Sequence, residues 1–185
     1  MRALRVLVAV FALAATGAGT ALANGIELSE LRLQRADDGL LLDFTARFEL
    51  SRAVDEALHK GVPLHFVAEA DVYRYRWYWL NRRVAQASRT WRLSWQPLTL
   101  TYRVSFGALA QSYPSLPEAL AALRRSARWR IAEPLAPDDD ASYYVEFSYR
   151  LDTSLLPRPL QIGFGGQPDW QLAVERTLPV PEAGR

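Results

Sequence analysis

The segment Tyr73-Arg74-Tyr75-Arg76-Trp77-Tyr78-Trp79, continued by Arg82, Arg83, Arg89, Trp91, Arg92 and Trp95, crowds aromatic rings and guanidinium groups into one stretch of chain. Rings and arginines side by side form a stacking platform for sugars, peptides or single-stranded nucleic acid. At strand spacing Tyr73, Tyr75, Trp77 and Trp79 share one face, and Arg74 and Arg76 take the other. Tyr75, Trp77, Trp79, Arg82, Arg83 and Trp91 are the candidate recognition surface. The same pattern also builds scaffold, with rings pairing across strands and arginine stems lying over them. The expectation is a mixture: Trp77 and Trp79 partly buried, Arg82 and Arg83 exposed at a hairpin end.

Other reactive groups are sparse. Glu69 and Asp71 share a strand face at i and i+2, a spacing open to glycoside acid–base work but equally to a solvated ladder with neighbouring arginines. His59 and His65 are the only two histidines, short of the three convergent ligands of a catalytic metal site. Asp138-Asp139-Asp140 lacks the interleaved spacing and glycine of a calcium loop. There is no cysteine and no G-x-S-x-G serine. Gly163, Gly165 and Gly166 lack the lysine of a phosphate loop. The expectation is therefore no catalytic, metal or cofactor site, and not an enzyme. A hydrolase using Glu69, Asp71 or His65 is the remaining alternative.

Strand-type alternation dominates the elements that position these residues. Leu40, Leu42, Phe44, Ala46, Phe48 and Leu50 share one face, and Asp37-Asp38-Gly39 before them is a hairpin turn. Ser51 caps a short helix with Val54 and Leu58 inward and Gly61 at its end. Leu64, Phe66, Ala68, Ala70 and Val72 line the next strand. A further hairpin pairs Thr90–Gln96 with Leu98–Phe106, the second arm alternating at Leu98, Leu100, Tyr102, Val104 and Phe106. Ser115 and Glu118 read as a capping box over a second helix containing Leu120 and Leu123. Trp129 and Ile131 mark a short strand, Tyr143 to Leu151 a long one, and Trp170, Leu172 and Val174 the last. Phe44, Phe48, Tyr102, Val104, Val145 and Phe147 are the predicted core. The fold class is mainly β: an antiparallel β-sandwich, immunoglobulin-like in architecture or a partly open barrel, with two short helices.

Residues 1–23 have the layout of a secretory signal peptide: Arg2 and Arg5, an apolar run from Val6 to Ala15, then Ala21-Leu22-Ala23 as an A-x-A site. An uncleaved anchor is the rival, but the strongly apolar part falls short of the about 20 residues a span needs. Cleavage after Ala23 gives a periplasmic domain over 24–178 and a flexible tail over 179–185. The leader carries two of the 22 basic residues, so the remainder balances 20 acids and is near neutral. That argues against nucleic acid as a partner.

The stretches RWYWLNRRVAQASRTWRLSWQPLTLTYRVSFGAL, SLPEALAALR, YYVEFSYRLDTSLLPRPLQIGF and QPDWQLAVERT resemble an uncharacterised family of exported Gram-negative bacterial proteins with a signal peptide and one domain of unknown function. The resemblance spans nearly all of residues 25–178. It implies export and, from the genes its members often neighbour, an envelope or signalling role; it implies no active site. The functional expectation is a non-enzymatic periplasmic interaction module, without cofactor, whose partner is an envelope protein. The alternative is a small-ligand or glycan binder using the aromatic and arginine surface.

Overall fold

The computed structural model describes residues 25–75, 81–135, 142–158 and 167–181. The signal peptide expected over residues 1–23, Trp77 and Trp79, Asp138-Asp139-Asp140 and the glycines at 163–166 lie outside them. Among the described residues nine strands run in chain order as β1 (Glu27–Ala36), β2 (Gly39–Arg47), β3 (Leu64–Arg74), β4 (Arg82–Gln96), β5 (Thr101–Phe106), β6 (Leu109–Tyr113), β7 (Arg125–Ala132), β8 (Tyr143–Leu151) and β9 (Ala173–Pro179). Two helices, α1 (Arg52–His59) and α2 (Leu116–Leu123), interrupt them. All pairings are antiparallel, in a three-stranded sheet β1-β2-β7 and a six-stranded sheet β6-β5-β4-β3-β8-β9. The result is a β-sandwich, mainly β, with no closed barrel among the described residues.

The alternation that the sequence displays is what the two sheets bury against each other. Leu40, Leu42, Phe44 and Ala46 of β2 face Leu64, Phe66, Ala68, Ala70 and Val72 of β3, with Val145, Phe147 and Tyr149 of β8 beside them, all buried. Phe44 sits at the centre, its ring centroid 5.1 Å from Phe147 and 5.3 Å from Tyr149. All six predicted core residues are buried. Tyr149 donates its hydroxyl hydrogen to the carbonyl of Leu123 at 2.8 Å, which satisfies a polar group inside the core and ties α2 to β8.

The helices start where the sequence places them, with one difference in chemistry. Ser51 accepts a hydrogen bond from the Val54 amide and caps α1. Ser115 precedes α2, but its hydroxyl donates to the Glu118 carboxylate at 2.6 Å instead of capping a backbone amide. The hairpin arm expected from Leu98 begins only at Thr101. Leu98 and Leu100 belong to the turn and are 99% and 68% exposed. Trp170 lies on a 3-10 turn, Pro168–Trp170, ahead of β9. It is buried nonetheless.

Candidate recognition site

β4 is the longest strand among the described residues, and its two halves have different surroundings. Trp91–Gln96 pairs with β3 or turns onward on one side and with β5 on the other. Arg82–Thr90 pairs with β3 alone: among the described residues no strand is hydrogen-bonded to its second edge, although β7 packs against β4 where Arg89 meets Ser126. Ala85 and Ala87 give this arm a shallow inner face, while Gln86, Ser88 and Thr90 are exposed. The arm begins at Arg82 and Arg83, both exposed, beside Val84 at 41% exposure.

At the same end of the sheet Tyr73 stacks on Tyr144 across the β3–β8 pair, centroids 5.2 Å apart and planes 14° apart. Asn81 donates to the Tyr144 hydroxyl at 2.9 Å. Partial burial, then the carboxylates of Asp71 and Glu146, push the Tyr73 phenol up, so the ring stays neutral. Tyr75 is 57% exposed, and its amide donates to the Ser142 carbonyl at 2.9 Å. Arg83 reaches Asp71 at 3.3 Å. Of the candidate surface, then, Tyr75, Arg82 and Arg83 come together on one end, joined by Tyr73 and Tyr144.

Trp91 does not. It is 6% exposed and packs in the core, edge-on to Phe44 at 6.2 Å and stacked on Phe106 at 5.7 Å. Its strand phase matches Phe66 and Val104, so burial wins over display. Two steps along the same face, the Arg89 guanidinium closes the gap between the sheets. It lies over the Phe106 and Trp129 rings at 5.5 and 5.3 Å and donates to Ser126 of β7 at 2.7 Å. Burial pushes its pKa down, because no carboxylate among the described residues answers the charge.

Two other clusters arise. On the outer face of β3, β8 and β9, Glu69, Asp71, Glu146, Ser148, Glu175 and Thr177 line a trough of about 490 Å³. Glu69 is held by Arg150 at 2.6 Å, and Asp71 by Arg83, the solvated ladder that their spacing allows. On the other side, His59 Nδ1 lies 2.9 Å from the Asp55 carbonyl and Nε2 lies 2.7 Å from the Tyr102 hydroxyl, with Trp95 against the ring. Burial, then the Asp55 charge, pushes the Tyr102 phenol up, and the His59–Tyr102 contact joins α1 to β5. His65 is half-buried next to Arg92 and Asp152, on the same strand as Glu69 and Asp71 but not among the residues that line the trough.

A family model described as a domain of unknown function, DUF4390, matches residues 23–178. The chain belongs to the DUF4390 family. No curated protein and no solved structure matches it. Among the described residues of this DUF4390 chain no helix is long and apolar enough to cross a membrane. Among them, too, no group of three or more histidine or acidic side chains is arranged to hold a metal ion.

The sequence pattern misses two parts of the site. Tyr144 is hidden because its own strand reads as a core strand, and only the β3–β8 register brings it over Tyr73. The arm from Val84 to Arg89 is hidden because alanine, glutamine and serine carry little strand signal.

Proposed function

We propose that this DUF4390 chain is a non-enzymatic interaction module that works in the periplasm after export and cleavage behind Ala23, with an envelope protein as partner. The observation that carries this reading is the arm of β4, Arg82–Thr90, paired on one side only among the described residues and flanked by Tyr73, Tyr75 and Tyr144. An open strand edge is ordinarily covered or blunted, because it is a template for another chain. Aromatic and arginine side chains around it are the types that dominate interface energies.

The test is affinity capture from envelope extract with the processed protein and a Tyr75→Ala/Arg82→Ala double variant. Both positions are exposed, so the double variant should keep its melting temperature and lose its captured partner. Equal capture by the folded variant would sink the assignment of this end as the interface. The stacked Tyr73–Tyr144 pair favours a second reading, glycan or small-ligand binding. Under that reading Tyr144→Ala abolishes glycan-induced changes in tyrosine and tryptophan fluorescence.

A further inference from the structure

The exposed arm also specifies what kind of segment it takes. We infer that Arg82–Thr90 of β4 accepts an extended, acidic segment of a partner protein as an added strand, running along the arm as far as Arg89. This deepens the reading of the chain as an interaction module and rests on it.

Three observations converge. The first is backbone. Nine residues, roughly 30 Å of strand at about 3.3 Å per residue, present alternate N–H and C=O groups to an edge that no described strand fills. Only a polypeptide offers donors and acceptors at the matching repeat; a lipid or glycan does not. The second is charge. β4 carries Arg82, Arg83, Arg89 and Arg92, β7 carries Arg125, Arg128 and Arg130, and neither strand has an acid, although Asp71 of β3 answers Arg83 and Glu133 answers Arg130. The two strands meet where Arg89 bonds Ser126. Two copies docking by this edge would set arginine against arginine, so the charge selects an acidic partner over self-pairing. The third is Arg89 itself, half-buried at the inner end of the arm with a neutral serine as its acceptor. A carboxylate delivered there by the incoming strand completes its hydrogen bonding.

Of the other sheet edges, β1 and β9 balance Glu27, Glu30 and Glu175 with Arg32, Arg35 and Arg176, and β9 ends in Pro179. β7, an edge of the small sheet, shares the arginine excess of β4 and packs against it where Ser126 meets Arg89, so it belongs to the same basic surface. β6, Leu109–Tyr113, is exposed but has no charge, so it selects no sign.

The experiment is selection of a displayed random seven-residue peptide library on the folded domain. Expected is enrichment of β-branched and acidic residues at alternate positions. Binding should weaken about tenfold or more in Arg82→Glu/Arg83→Glu. Gln86→Pro and Ala87→Pro form the backbone arm, because successive amides point to opposite edges of a strand. The variant whose lost N–H faces away from β3 should keep its melting temperature and lose peptide binding. No enrichment, or enrichment without acidic residues, overturns the inference. So do peptides that bind the folded proline and charge-reversed variants unchanged, which would place docking on β6. A phosphatidylglycerol vesicle arm separates a membrane surface: vesicle binding without peptide enrichment overturns strand addition. Envelope capture that still depends on Tyr75 and Arg82 while the library fails leaves the interaction module standing and removes only this mode.

Discussion

Arg89 holds a charge in a place that does not favour one: two aromatic rings, a serine hydroxyl, and desolvation that pushes its pKa down. Replacing it by a residue that keeps the stem and drops the charge should cost nothing in stability. Arg89→Met is expected to unfold at a denaturant concentration equal to or above that of the parent, because buried charge replaced by apolar bulk is neutral or stabilising. Phe147 gives the opposite case. It is 1% exposed and packs on Phe44, so Phe147→Ala should cost about 3–5 kcal/mol in equilibrium unfolding. His65 sets a pH dependence. Burial, then the Arg92 charge, lowers its pKa below 6.5 in the folded chain. The unfolded chain therefore binds the extra proton, and stability present above pH 6.5 is lost as pH falls through the folded-state value. The melting temperature should decline over that range, and less steeply in His65→Gln.

At the scale of elements, the Asp37-Asp38-Gly39 turn is where backbone geometry is least forgiving. Gly39 has φ +135, and a Cβ there would meet the Ala132 carbonyl oxygen at 2.2 Å. Gly39→Ala should destabilise by more than the about 1 kcal/mol of a simple glycine effect, since β2 and β7 must separate to admit it; thermal unfolding checks this. Elements were legible in the sequence where apolar side chains alternate against a single buried face. β2, β3 and β8 show this, and so does α1 with its serine cap and Gly61 behind it. The pattern misled where apolar residues are exposed. Leu98 and Leu100 continue the alternation of β5, yet Leu100 takes φ +51 and turns the chain before the strand begins. It was silent where strand pairing, not side-chain type, makes the strand. The Ala85 to Ser88 stretch is extended because β3 lies beside it. The candidate site was half legible for the same reason. Exposed Tyr75, Arg82 and Arg83 could be picked out by type, whereas Trp91 reads as display and is core.

At the scale of the whole molecule, the sandwich is held together by pairings of very unequal reach. β3, β4 and β5 follow one another by hairpins, and β3 binds β8 as its second neighbour. The small sheet is different: β2 pairs at once with β1 through a two-residue turn, but its other edge waits for β7, with Leu42 opposite Trp129. Everything from α1 to α2 is made between them. A topology dominated by such distant partners folds slowly, roughly in milliseconds to seconds, because the chain loop must close before the contact rewards it. Pulse-labelled hydrogen exchange during refolding should show the β1–β2 amides gaining full protection together with those of β7, and not ahead of them. The β1–β2 hairpin, synthesised well before β7, is thus secured only once β7 has followed, so a nascent chain stays loose until that strand has arrived.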